Sequence, residues 1–334
     1  MTGSILAEMV RGNHVENQYM GWLVVTDAKG SVKYATPGAV ECQTYFRSSA
    51  KPFQVLPMVA AGFHQQLTQQ ELALACASHT GTDAHVLVVT RLLEKAGLTD
   101  SALQCGIHSP VSPAVASQLI RQGNPITPLH NNCSGQHAAL LYFCMKQGWE
   151  ISTYQEESHP LQQEILAHFK ELLGLKALDD IDTGTDGCGM RTYYLALPLM
   201  AQLYGQLVKT ELCAPVVEAM TAYPDMVAGD IQPNKQALDT VLMQVSDGNL
   251  VCKAGAQGVY CMSNRQTGEG MAVKIASGDK EIRNRVVVAA VKQLGWLTES
   301  ALTLDVLQPF SDPVLLNLSK EPVGRYQITL SGLA

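Results

Sequence analysis

The sequence is poor in charge and in aromatic rings: Asp, Glu, Lys and Arg make up 16% of its 334 residues, and Phe, Trp and Tyr 6%. The few charges are dispersed without a Lys/Arg run, and they sum to −7. A surface for polyanions needs concentrated positive charge, so neither nucleic acid nor an anionic membrane is expected as a partner. No stretch stays apolar for the roughly 18 residues that a membrane-crossing helix requires. The N-terminal MTGSILAEMVRGNHVENQY lacks the basic segment, apolar core and small-residue cleavage site of a secretory leader, which points to the cytoplasm. Internal repeats, low-complexity tracts and a Pro/Ser-rich linker are also missing. What is present is an ordinary folded composition, 46% hydrophobic, in a chain long enough for one large domain or two unequal lobes. Small solutes remain as partners.

Cysteine is not scarce. Nine are scattered without a disulfide framework, and Cys76 in LALACAS and Cys144 in ALLYFCM read as reduced and buried. Cys133 and Cys188 differ, each lying in a Gly-rich polar stretch.

Hydrophobic patterning predicts an α+β protein. MGWLVVTD and SVKYATPG alternate around Asp27-Ala28-Lys29-Gly30 and read as a β-hairpin. Helical periodicity runs from about Ser48 to Gly205, for example in QQELALACA, HVLVVTRLLEKAG, GQHAALLYFCMKQG and PLQQEILAHFKELLG. Strand-like alternation returns in NLVCKAGAQGVYCMSN and EGMAVKIASG, followed by a helix in KEIRNRVVVAAVKQLG. The expected assembly is a single domain over 1–334 with two lobes. An antiparallel sheet from the N- and C-terminal strands (1–47 and 206–334) carries a mainly helical lobe (48–205).

Within YFRSSAKPFQ, Ser48 and Lys51 stand one helical turn apart, and Pro52 fixes the helix start near Ser48 or Ser49. A serine there would have unpaired backbone N–H groups to stabilise developing negative charge. The same residues also fit a Ser N-cap with an exposed Lys. Ser277-Gly278-Asp279-Lys280 repeats the spacing, but its Gly-Asp centre reads as a turn. Four more stretches replace apolar periodicity with small or polar residues: Ser78-His79-Thr80-Gly81, Asn131 to His137 (NNCSGQH), Thr183 to Gly189 (TGTDGCG) and Cys252 to Gly258 (CKAGAQG). Each alone fits a turn, a cap or a bulged strand; functional sites are expected where such local conflicts gather.

Taken together, RSSAKPFQ, CASHTGT, NNCSGQHAAL, DGCG and KAGAQGV resemble, over essentially the whole chain, the asparaginase family typified by the inducible and constitutive rhizobial enzymes. The resemblance implies a fold like that of serine β-lactamases and glutaminases, and an amidohydrolase that converts L-asparagine to L-aspartate and ammonia. It makes Ser48 the nucleophile and Lys51 its base, and it pairs Thr80, where Ser is commoner, with Lys253. A lysine acts as a base only when neutral, so its pKa must fall, by burial or by a nearby cation such as Lys253. Asp186 would receive the substrate α-ammonium and Arg47 its α-carboxylate, with His137 on the substrate side. No organic cofactor is implied, and a homodimer is. Family members commonly read Cys-Ser-Gly-Lys-His and hold zinc through both cysteines and the lysine. Here Gln136 replaces that lysine, leaving Cys133 and Cys188, which fit either a zinc site completed by His137 or two reduced thiols beside a core histidine. Zinc is therefore allowed and not required. The rival readings are a β-lactamase-like or glutaminase-type serine hydrolase and a non-catalytic amino-acid-binding protein; asparagine and glutamine differ by one methylene.

Overall fold

A computed structural model describes residues 3–175, 181–229 and 237–333, arranged as two compact units. The first comprises Met1–Thr44, Leu195–Gln206 and Val241–Ala334, the second Tyr45–Tyr194 and Leu207–Thr240. The units thus exchange short segments that the simple strand and helix runs would assign otherwise: 195–206 joins the first and 207–240 the second.

The first unit is built on an eight-stranded sheet. Its strands are β1 (Ser4–Arg11), β2 (His14–Thr26), β3 (Val32–Ala35), β7 (Leu250–Ala254), β8 (Val259–Asn264), β9 (Gly270–Ile275), β10 (Val314–Leu316) and β11 (Pro322–Ile328), in the order β10-β11-β1-β2-β9-β8-β7 with β3 on β2. Its strand pairings are antiparallel. The hairpin expected around Asp27 to Gly30 forms, with Gly30 N–H donating to Asp27 O and Val25 opposite Tyr34. So do β7, β8, β9 and the helix Lys280–Gln293, which packs on β8, β9 and β1. The helix Leu197–Leu207 lies so close to β9 that a Cβ at Gly270 would stand 1.9 Å from Ala201 O, which explains a glycine inside a buried strand.

β1, β10, β11 and the first half of β2 lie outside the expected strands. His14–Gln18 is exposed along its whole length, so no apolar face marks it in the sequence, whereas Trp22 to Val25 are all buried and do. Ser277–Lys280 is a turn into a helix capped by Asp279, whose carboxylate accepts from Ile282 N–H.

The second unit is mainly helical. Its central helix, Ser134–Gln147, is buried on every side from Ser134 to Cys144 and packs on the helices Gln69–Ala75 and Asp83–Lys95. Gly135 permits that packing: a Cβ there would meet Leu74 O at 2.6 Å. A small sheet, β5 (Asp182–Thr185) and β6 (Arg191–Ala196) with β4 (Gln43–Tyr45) on the other edge of β6, interrupts the expected helical run. β5 reads DTGT, with no apolar residue to announce a strand. Five of the six phenylalanines lie in this unit. Phe46, Phe53, Phe169 and Tyr193 are all buried, with ring centroids 5.8 Å (Phe46–Phe53), 5.7 Å (Phe53–Phe169) and 4.4 Å (Phe169–Tyr193) apart. Each such pair adds about 0.5–1.5 kcal/mol beyond the area buried, and two of the rings bracket Ser48 and Lys51.

Candidate active site

The turn bearing Ser48 starts in a strained backbone. Arg47 is a non-glycine residue at φ 52°, a conformation that persists only where surroundings fix it. Here they do. Phe46 N–H donates to Tyr193 O, Arg47 N–H donates to Thr192 Oγ1 at 3.1 Å, and the Arg47 guanidinium forms a two-pronged bond to Asp186, both prongs 2.9 Å. Arg47–Ala50 is a 3₁₀ turn running into the short α-helix Lys51–Gln54, with Lys51 N–H bonded to Ser48 O. The expected α-helix N-terminus at Ser48 is therefore a 3₁₀ turn, because the left-handed Arg47 leads into a tighter i to i+3 bond. In such a turn residues i and i+3 eclipse, so Ser48 and Lys51 share a face.

Lys51 is 2% exposed, so the exposed-lysine reading of this stretch does not hold. Its Nζ donates to Ala77 O at 2.5 Å, Cys133 Sγ at 3.1 Å and Ser78 Oγ at 3.3 Å. Ser48 is half-buried and is not among these partners. Ser78 is held from both sides by the backbone, its own N–H on Val227 O and that of His79 on Asn132 O. Sequence reasoning misses Ser78 although it opens a stretch singled out for its composition, because the family resemblance points to Thr80 there. Thr80 lies against Gly229, where a Cβ would stand 2.6 Å from Thr80 Oγ1.

The Gly-rich stretch is the β5–β6 hairpin turn. Asp186 N–H donates to Met190 O, Gly189 N–H to Asp186 O, and Gly189 takes φ 88°. Burial works to raise the Asp186 pKa, but the bonds and charge of Arg47, with the Gly187 N–H, outweigh it and hold the carboxyl below its ordinary range. The same turn brings Cys188 to Cys133. A hydrogen bond from the Cys188 thiol, opposed by burial and aided by the charge of Lys51, lowers the Cys133 pKa; that bond and burial raise the pKa of Cys188. None of the nine cysteines is disulfide-bonded.

Beneath the site lie buried neutral histidines. Gly81 N–H donates to His79 Nδ1, which leaves Nε2 to donate to Ser134 Oγ, 2.9 Å away, and Ser134 donates to Leu129 O. Burial, with the neighbouring His85 and Lys51, holds His79 well below the usual histidine range. His137 is bonded through Nδ1 to the Tyr154 hydroxyl, and burial and Lys51 lower its pKa to about 3.

The donors do not fit a zinc ion. Among the described residues no three or more His, Cys, Asp or Glu side chains are grouped to hold a metal. Gln136 gives its amide N–H to Gln54 Oε1 at 2.5 Å and His137 Nδ1 is bonded to Tyr154. Gln136 Oε1 and His137 Nε2 are buried without a partner among the described residues, but His137 is not grouped with the two cysteines, which leaves two sulfurs where a tetrahedral site needs a fuller set. Lys253 belongs to the first unit, on β7. It is 1% exposed and donates to Ala254 O at 3.0 Å, so this strand lysine does not point to solvent. The turn after it is pinned by Arg283, whose Nη1 donates to Gly255 O at 3.0 Å and Val259 O at 3.4 Å.

The second unit thus holds a buried lysine one turn from a serine, and next to that serine an ion pair of Arg47 and Asp186. The chain matches the L-asparaginase II family over residues 7–328 and belongs to it. It is accordingly an L-asparaginase, a hydrolase of amides. A comparison with curated proteins found no match. No helix among the described residues is long and apolar enough to cross a membrane.

Proposed function

We propose that this L-asparaginase works through an acyl-enzyme on Ser48, with Lys51 as its base. Ser48 attacks the side-chain amide carbonyl of L-asparagine and passes its proton to Lys51; ammonia leaves; water then cleaves the β-aspartyl ester. The observation that carries this reading is the turn Arg47–Lys51, a strained and fully braced backbone that sets a serine on the same face as a buried lysine. The ion pair of Arg47 and Asp186 supports the substrate assignment, because adjacent opposite charges complement the α-ammonium and α-carboxylate of an amino acid. Thr80 and Lys253 enter as the second hydroxyl and lysine, and the fold as a relative of the serine β-lactamases and glutaminases, on the strength of the family motifs. No metal takes part in the steps proposed.

The test is ammonia release from L-asparagine and L-glutamine by purified protein, with mass spectrometry of the rapidly quenched enzyme. A β-aspartyl adduct on the peptide containing Ser48 is expected. Ammonia release without any adduct on that peptide, in the wild type and in a deacylation-impaired variant, would sink the mechanism while leaving the activity. Asparagine binding with no ammonia released would favour a non-catalytic binder, and hydrolysis of nitrocefin a β-lactamase-like enzyme.

A further inference from the structure

Lys51 has three neighbours at Nζ, and they are not chemically equivalent. The Ala77 carbonyl can only accept a hydrogen bond, and Cys133 sulfur is a weak donor as a thiol and none as a thiolate. The Ser78 hydroxyl alone both accepts and donates well, so it alone can reverse its bond when Lys51 changes protonation state. Ser78 Oγ accepts from Lys51, and its own proton has no acceptor among the described residues. The residue is half-buried, unlike the fully buried Ala77 before it and His79 after it. Its backbone is clamped at Val227 O, so the hydroxyl is presented from a fixed point.

We propose that Ser78 is a catalytic residue, the relay that carries the proton from Lys51 to the departing amide nitrogen. The proposal rests on the Ser48–Lys51 reading above. In the first half-reaction the Ser48 oxygen forms a bond to the amide carbon and its proton moves to Lys51. The tetrahedral intermediate then collapses. The C–N bond breaks with its electron pair going to nitrogen; that nitrogen takes the Ser78 proton as Ser78 takes one from Lys51. The products are the β-aspartyl ester, ammonia, neutral Lys51 and an intact Ser78 hydroxyl, so every proton and electron pair is accounted for. The relay is needed only because an amide leaving group cannot depart unprotonated.

That requirement supplies a test which a merely structural defect would not pass. L-Aspartate β-(4-nitrophenyl) ester forms the same acyl-enzyme, but its nitrophenolate leaves without a proton. Acylation of wild type, Ser78→Ala and Ser78→Thr is measured as the nitrophenolate burst by stopped flow, and as single-turnover ammonia release from asparagine. Ser78→Ala is expected to slow acylation by asparagine ~100-fold or more, as loss of a general acid does, and to change the ester burst by no more than a few-fold. Ser78→Thr, which keeps the hydroxyl, should recover most of the amide rate. Equal defects on amide and ester in both variants, or none on either, overturn the role of Ser78 alone. A leaving-group-selective defect in Thr80→Ala instead would move the relay to Thr80. A wild type that acylates with the ester but never with asparagine overturns the substrate reading and the relay together.

Discussion

The two units organise their chemistry-bearing residues in opposite ways. In the second unit the motif residues bond to one another across long chain separations: Arg47 to Asp186, Lys51 to Ser78 and Cys133. In the first, Lys253 donates to the adjacent Ala254 O, and its setting is a β-hairpin whose turn is bonded by the buried Arg283 at Gly255 O, by Lys274 at Gln257 O and by Ile275 N–H at Gly258 O. One unit ties its motif residues to each other; the other carries its lysine on a braced hairpin. The difference teaches that a site residue can be fixed by partners or by scaffold, and that substitutions should report which.

The largest effect is expected where the mutual network acts on the reaction itself. Ser48→Ala should lower kcat on the order of 10⁴-fold with the melting temperature unchanged, whereas the buried Ser49→Ala should cost stability and leave much of the turnover. A dead Ser49→Ala beside an active Ser48→Ala would reassign the nucleophile. Next come the lysines, one from each unit. Lys51→Met and Lys253→Met should each cost about 10²- to 10⁴-fold in kcat, and the double variant should be far from the product of the two. Multiplying losses would mean that the two lysines act independently and would sharpen the contrast between the units.

The scaffold half is probed by Arg283→Met, which removes the donor from two buried carbonyls of the Gly255–Val259 turn. A loss of about 1–3 kcal/mol in urea unfolding is expected, with a smaller fall in turnover than for Lys253→Met. An unchanged midpoint would show that the turn is held without it. Smaller again is a pH effect from the second unit. His79 and His137 are held below the ordinary histidine value of 6.5, so the unfolded chain binds more protons there. Stability contributed by keeping them neutral is complete above that value and is lost as pH falls below it, by at most about 1.4 kcal/mol per pH unit for each histidine. Urea midpoints between pH 8 and pH 5 should therefore fall more steeply in wild type than in His79→Gln; parallel profiles would remove His79 from the account. The smallest effect is none: activity should survive dialysis against a chelator, and loss of all turnover with tightly bound zinc would overturn the reading of the Cys133–Cys188 pair.

Much of this was legible in the sequence, and several of the misses share a cause. Wherever one face or both are buried, periodicity reveals the element, as in Trp22 to Val25 or the helix Ser134–Gln147. β5, β10 and the outer half of β2 carry little buried surface and so leave no pattern. Lys51 and Cys133 stood out because lysine and cysteine in small, polar runs conflict with their surroundings. Ser78 did not, since a serine in a loop conflicts with nothing; only the contact with Lys51 gives it a role. Likewise nothing local tells that Arg47 and Asp186 neutralise each other, because their meeting is made by the β5–β6 hairpin.

The pairing of β2 with β9, with Gly21 opposite Ile275, also sets a timetable. A ribosome releases the chain from its N-terminus, and residues 45–194 of the second unit emerge as one unbroken run that can collapse locally. The first unit has no such option. β1, β2 and β3 can form early, but the inner edge of β2, with Trp22 to Val25 meant for burial, must wait until β9 arrives. Loop closure over that span is slow, and an unfilled apolar edge invites pairing with other chains. For most of its synthesis this enzyme is a nascent helical body trailing an unfinished sheet, and its yield in a cell should depend on what shelters β2 in the interval.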